Sequence, residues 1–124
     1  MRCVCVGSVH VALPPARAAA LFTPEGERLW AHGWAPEYPT DGPVFLTDDG
    51  ATVWVELGDL RYARVTPGVQ AGTVAVRLAP DGDGTRAEVT YDLTALSGDT
   101  DLAAFAAGFD DMMAAWERDI AAAL

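Results

Sequence analysis

Few side chains in this sequence could carry out chemistry. Imidazole titrates near neutral pH, so His32 could act as an acid or a base. Tyr62 and Arg64 are two residues apart in a strand-like run and therefore share one face, and Tyr91 lies in a later run of the same kind. These four side chains could polarise or protonate a substrate carbonyl. The alternatives are a loop histidine bonded to the backbone and an exposed Tyr62–Arg64 pair in which Arg64 contacts an acid such as Glu56.

Glu27 follows a helix-start signal. Thr23 is expected to cap a short helix, with Pro24 at its first position and Glu25 in its first turn. We expect the Glu27 carboxylate to hold the junction between this helix and the following loop through hydrogen bonds or an ion pair. Catalysis by Glu27 is the alternative.

No metal site and no cofactor are predicted. The sequence has no Ser-His-Asp order, zinc-ligand spacing, phosphate-binding glycine loop or dinucleotide fingerprint. The run DGDG at 81–84 lacks the spaced acidic ligands of a calcium loop and predicts a hairpin turn.

Composition excludes several classes of partner. The 124 residues are expected to form one domain, 1–124, with 51% hydrophobic and 21% charged residues. The net charge of −10 disfavours nucleic acid and anionic membrane surfaces, and no apolar stretch of ~20 residues predicts a membrane span. Ser8 and His10 interrupt the first apolar run, which disfavours a secretion signal. Cys3 and Cys5 are expected to be free thiols in a reducing cytoplasm.

Alternating apolar residues predict a sheet. A first strand covers residues 3–13, two short helices cover 16–22 and 24–30, and a loop rich in Gly and Pro covers 31–42. Later strands are predicted at 44–47, 52–57, 61–66, 72–79 and 85–94. The hairpin-length gaps between these strands make the sheet antiparallel, with one apolar face to be covered.

The last stretch, 99–124, predicts a long amphipathic helix. Apolar side chains recur there at spacings of three and four, and Asp99 or Thr100 can cap its start. This helix is the only long element that can cover the sheet. Its apolar stripe either packs the core or lines a pocket.

The order and the residues resemble the START-like (Bet v 1-like, SRPBCC) superfamily, and in particular small bacterial polyketide-cyclase-like members of unknown role. The resemblance rests on residues 9–15, on LFTPEGERLWAHGWAPEYP at 21–39, ARVTPG at 63–68, VTYDLTALS at 89–97 and MMAAWERDI at 112–120. It implies an α+β helix-grip fold, in which a curved antiparallel sheet of about six strands wraps a long C-terminal helix. Two short helices follow the first strand in such a fold.

The resemblance also implies a cavity between the sheet and the helix. Its expected ligand-binding wall is formed by Trp34, Trp54, Tyr62, Arg64, Tyr91, Phe105, Phe109, Met112, Met113 and Trp116. The expected function is binding or carrying of a small hydrophobic or aromatic ligand by a monomer or weak homodimer. A cyclase- or dehydratase-type enzyme and a co-chaperone-like interaction module are the alternatives. An exposed apolar patch around Trp30, Trp34 and Tyr38 would indicate the interaction module.

Overall fold

The computed structural model describes residues 1–124, and its elements follow the predicted order. The strands are β1 (Arg2–Val11), β2 (Val44–Thr47), β3 (Thr52–Gly58), β4 (Arg61–Thr66), β5 (Gln70–Asp81) and β6 (Gly84–Ala95). The helices are α1 (Pro15–Ala18), α2 (Pro24–Glu27), α3 (Leu102–Ala107) and α4 (Phe109–Ala123), and a 3-10 turn spans Ala19–Phe22.

The strands form one antiparallel sheet in the order β1-β6-β5-β4-β3-β2. Strands β2 to β6 pair with their neighbours in sequence because short turns join them, whereas β1 pairs with the last strand, β6. A register shift between Glu56 and Gly58 of β3 interrupts the regular pairing, and such irregularities bend a sheet. The predicted α+β fold, with a curved six-stranded sheet and a C-terminal helical segment, is confirmed.

The alternating apolar side chains of β5 and β6 face inward, as the buried Val76 and Val89 show. The alternation along β3 leaves two candidate inner faces, one that carries Trp54 and one that carries Leu57. Trp54 points inward and is buried, whereas Leu57 is exposed. A buried tryptophan removes more apolar area from water than any of the smaller side chains beside it. The larger side chain therefore determines which face of β3 is inside.

The predicted C-terminal helix is divided at Gly108. Helix α3 ends at Ala107, and Gly108 adopts φ −91° and ψ −1° before α4 begins. Glycine is a poor helix former, which agrees with a break at this position. The cap is Asp101, whose Oδ1 accepts a hydrogen bond from the backbone N–H of Ala104 at 2.9 Å.

The two terminal helices pack against β1, and Gly7 permits their close approach. A Cβ atom at Gly7 would lie 2.8 Å from Cγ of Met113 and 3.0 Å from Cε2 of Phe109. Farther along β1, the Glu117 carboxylate accepts a hydrogen bond from the backbone N–H of His10 at 2.5 Å. The helices therefore cover the β1 side of the sheet. Side chains from the segment 22–34 cover the inner face of β2 to β4.

The helices are all too short or too polar to cross a bilayer. Cys3 and Cys5 are both free thiols, as predicted, and burial raises the pKa of the Cys5 thiol.

The contact at Gly7 predicts a specific sensitivity to one added methyl group. Gly7→Ala should lower the free energy of unfolding by about 1–3 kcal/mol, because the new Cβ overlaps Met113 and Phe109 in a packed interface. Urea denaturation measures this change. Gly98→Ala is the matched control, since a Cβ there meets no atom within 4 Å. Equal effects of the two substitutions would contradict the close packing of α4 on β1.

Candidate functional site

A cavity of about 280 Å³ lies between the inner face of the sheet, the segment 22–34 and α4. Aromatic side chains form much of its wall, and a few polar groups enter it. Every strand from β2 to β6 contributes at least one lining residue. The cavity therefore opens on the part of the sheet that the terminal helices leave uncovered.

The predicted wall residues separate into two groups. Six of them line the cavity: Trp34, Trp54, Tyr62, Arg64, Tyr91 and Trp116. Four do not: Phe105, Phe109, Met112 and Met113. Phe109 and Met113 instead fill the space above Gly7, where the helix lies too close to β1 for a ligand. Of the predicted helix stripe, only Trp116 reaches the cavity.

The segment that carries Glu27 is held in place by backbone contacts. Thr23 caps α2 as predicted, because its Oγ1 accepts a hydrogen bond from the backbone N–H of Gly26 at 3.0 Å. A Cβ atom at Gly26 would lie 1.7 Å from the carbonyl oxygen of Ala20, so only glycine allows α2 to fold back onto the 3-10 turn. This close approach places Glu27, the next residue, beside the cavity.

The four tryptophans of the chain all line the cavity, and hydrogen bonds fix the indoles of three of them. The indole N–H of Trp30 donates to the carbonyl of Leu21, and that of Trp34 donates to the carbonyl of Pro24, each at 2.8 Å. The indole N–H of Trp54 donates to Oγ1 of Thr47 at 2.8 Å. These three donors are satisfied by the protein itself, so their rings are rigid apolar walls.

Aromatic contacts join these walls into one frame. Trp34 meets Trp54 edge to face, with ring centroids 5.5 Å apart, and Phe45 stacks on Trp54 at 5.7 Å. On the other side, Trp30 meets Trp116 edge to face at 5.3 Å. Aromatic pairs prefer defined geometries, so these contacts restrict the orientation of the rings that line the cavity.

Arg64 lines the cavity, and the predicted exposed pair with Glu56 is not formed. The guanidinium carbon lies 4.9 Å from the ring centroid of Trp54, a cation–π distance. Nε is buried without a hydrogen-bond partner, and the side chain makes no ion pair. The hydroxyl of Tyr62, its neighbour on the same face, is already occupied, because it donates to the carbonyl of Phe22 at 2.8 Å. Arg64 is therefore available to a bound molecule, and the Tyr62 donor is not.

Glu27 lies at the same cavity without the hydrogen bond or ion pair that the sequence predicts for it. Burial raises the pKa of its carboxyl to about 8, because a low-dielectric environment penalises the charged form. Carboxyl groups with strongly shifted pKa values are common at functional sites. This shift therefore supports the alternative role of Glu27 as an acid–base group. One feature of the sequence could have indicated the position of Glu27. Residues three apart lie on one side of a helical segment, and Trp30, three residues after Glu27, is buried.

Tyr91 projects from β6 between Phe105 and Trp116, with ring centroids 5.3 and 6.4 Å from its own. Burial raises the pKa of its hydroxyl to about 12, a rise that Arg64 opposes and Glu27 reinforces. The hydroxyl is therefore a hydrogen-bond donor at neutral pH. Three polar groups from three elements, Glu27, Arg64 and Tyr91, thus meet at one cavity.

The cavity also includes His32, a candidate from the sequence, and several wall residues that the sequence did not indicate. His32 lines the rim, where its side chain is 88% exposed and its Nε2 lies 3.9 Å from the Asp119 carboxylate. Sequence analysis missed Phe22, Phe45 and the β5 pair Val74 and Val76 as wall residues. Nothing in an alternating strand distinguishes a valine that packs a core from one that borders a cavity.

Comparison with known proteins gives matches at the level of structure. No protein-family model matches the sequence, and no curated protein matches it. An uncharacterised protein from Rhizobium leguminosarum is 17% identical, with a TM-score of 0.66 over 97% of this chain and 95% of its own. The Mll3558 protein from Rhizobium loti is 16% identical, with a TM-score of 0.63 over 96% and 97%. CalU16 from Micromonospora echinospora is 16% identical, with a TM-score of 0.66 over 97% and 85%.

These structures share the α+β fold of this chain. Identities this low make the likeness one of architecture, and folds of this breadth host many functions. We call the cavity of about 280 Å³ the helix-grip cavity, and we infer its function from the residues that line it.

The raised pKa of Glu27 predicts a pH-dependent stability. Between about pH 4.5 and about pH 8 the folded protein binds a proton at Glu27 that the unfolded chain has released. The free energy of unfolding should therefore fall as the pH rises through this window, and Glu27→Gln should remove that part of the slope. Near pH 8.5 the variant should be more stable than the wild type by on the order of 2 kcal/mol, and near pH 4 the two should be similar.

Urea denaturation at a series of pH values measures this difference. Glu25→Gln is the matched control, because it makes the same chemical change two residues away on an exposed side chain of α2. An unchanged slope in Glu27→Gln would show that the Glu27 carboxyl titrates normally.

Proposed function

We propose that the helix-grip cavity binds a small aromatic ligand. The observation that carries this proposal is the cavity wall, where the N–H donors of Trp30, Trp34 and Trp54 are satisfied within the protein and their ring faces remain. Ligand pockets typically combine such apolar walls with a few convergent polar groups. Glu27, Arg64 and Tyr91 contribute polar groups to this cavity from three different elements.

The size of the cavity favours a compact ligand. Its volume of about 280 Å³ is just below the ~300–1,000 Å³ of most ligand pockets. A dry cavity of ~150 Å³ accommodates benzene. A flat molecule of about two fused rings therefore matches the available space.

The alternative of an interaction module lacks the exposed patch that would indicate it. Trp30 is buried, Trp34 is half-buried, and both contribute to the cavity wall. Tyr38 alone among the three is exposed, at 41%. The surface at this loop thus offers a single aromatic side chain rather than a continuous apolar patch.

Ligand binding is tested with 1-naphthamide, a neutral aromatic probe of about the required size. Because all four tryptophans line the cavity, intrinsic fluorescence should report its binding directly. Val74→Phe should weaken binding about tenfold or more, since the larger side chain projects from β5 into the cavity. Val65→Phe, on the exposed face of the neighbouring strand β4, should bind like the wild type.

Native mass spectrometry of freshly purified protein complements this titration. A small molecule that copurifies with the wild type and is lost from Val74→Phe would identify the ligand class. Failure of the wild type to bind the naphthalene probe, or equal weakening by both substitutions, would contradict the proposal.

Glu27 favours a second candidate function, acid–base catalysis of the cyclase or dehydratase type. A carboxyl with a pKa of about 8 exchanges protons readily near neutral pH. The ionised form could take a proton from a carbon beside a substrate carbonyl. Arg64 and the Tyr91 hydroxyl could then stabilise the enolate oxygen as the C–H electron pair moves toward it.

This second function predicts proton exchange in a bound ketone. The protein should accelerate exchange of the methyl protons of 1-acetonaphthone in deuterium oxide, as followed by NMR. The rate should rise with pH through about 8, because the base is the ionised Glu27. Glu27→Gln should abolish the acceleration, and Glu25→Gln should preserve it. A wild-type rate equal to that of buffer would exclude this chemistry for an aryl ketone.

A further inference from the structure

We propose that the ligand of this cavity is an aromatic carboxylate whose charged end is held by Arg64. This inference rests on the proposed function and specifies the ligand class. It is carried by the buried, unpartnered Nε of Arg64, by the surroundings of the guanidinium and by the state of the acids at the cavity.

The arginines of this chain differ in whether an acid or the solvent surrounds them. Of the 8 arginines, Arg17, Arg61, Arg77 and Arg86 are exposed to solvent and form no ion pair. Arg2, Arg28 and Arg118 each pair with an acid. Arg64 makes no such pair, although it lines the cavity and its Nε is buried.

The Trp54 ring orients the guanidinium without satisfying it. A guanidinium over an aromatic face gains cation–π attraction but uses none of its N–H donors. The Arg64 side chain donates no hydrogen bond within the chain, and only its Nε is fully buried. Its two terminal nitrogens are therefore neither fully buried nor bonded within the chain, on a residue that lines the cavity. Two such donors in one plane match the two oxygens of a carboxylate.

Neither Glu27 nor Asp48, the two acids at the cavity, forms an ion pair with Arg64. Glu27 remains largely protonated at neutral pH, because burial raises its pKa to about 8. In that state its O–H can donate a hydrogen bond to an anion instead of repelling it. Asp48 is exposed at the rim, where its Oδ2 accepts a hydrogen bond from Oγ1 of Thr52 at 3.2 Å and solvent screens its charge. His32, also at the rim, can only add positive charge.

The shape of the cavity supports the same class of ligand. The aromatic frame of Trp34, Trp54 and Phe45 offers apolar faces beside the guanidinium. A flat ring bearing a carboxylate would place its apolar part against this frame and its charge on Arg64. A neutral hydrocarbon of the same size would leave the guanidinium unpaired.

The experiment compares three naphthalene probes whose substituents are negative, neutral and positive, using tryptophan fluorescence titrations at about pH 7. In the wild type, 1-naphthoate should bind about tenfold more tightly than 1-naphthamide, and 1-naphthylmethylammonium should bind most weakly. Arg64→Met should remove the preference of naphthoate over naphthamide. Arg61→Met is the matched control, because Arg61 is exposed on the same strand, and it should keep that preference.

The outcomes separate this inference from the proposed function. If naphthamide binds and naphthoate binds no better, the carboxylate inference is overturned while aromatic binding stands. If no probe binds, the proposed function itself fails. The order among the three probes in the wild type decides the question even if Arg64→Met does not fold. A preference that persists in a folded Arg64→Met variant would assign the anion to another residue.

Discussion

The approach of α4 to β1 across Gly7 is the contact on which the rest of the architecture depends. Met113 and Phe109 occupy the space that a Cβ atom of residue 7 would need, so the helix rests directly on the strand backbone. Dense packing around Gly7 leaves no room for a ligand at that point. The inner face of the remaining strands must then be covered by the shorter segment that follows β1. That segment covers the face incompletely, and the cavity is the result.

The frame of the cavity is built from groups whose polar requirements are met elsewhere. The indole N–H groups of Trp30, Trp34 and Trp54 are bonded to protein oxygens, and the Tyr62 hydroxyl is bonded to the carbonyl of Phe22. These bonds tie the loop to the sheet and fix the rings at the same time. Rigid walls of this kind reduce the entropy that a ligand would lose on ordering the protein. The same contacts therefore provide both structural order and a preformed site.

Charge in the cavity is distributed in an unusual way for so acidic a chain. Glu27 is half-buried, where desolvation penalises its ionisation, and Arg64 is oriented by Trp54 without an acidic partner. A largely protonated acid and an unpaired cation therefore lie at one cavity in a protein whose net charge is −10. Unpaired polar groups in a core cost stability, and their retention at a cavity is typical of functional sites.

The sequence alone determined the element order, the antiparallel sheet and the inner faces of β5 and β6, because these follow from turn residues and from the period of two along a strand. It also indicated Trp34, Trp54, Tyr62, Arg64, Tyr91 and Trp116, which the structure brings together at the cavity. Only the tertiary structure decided which end of the helix stripe faces open space, because that depends on the missing Cβ of Gly7. The environment of Glu27 was likewise decided by tertiary structure. A periodic pattern predicts which side chains share a face. The burial and the charge state of those side chains depend on what packs against that face.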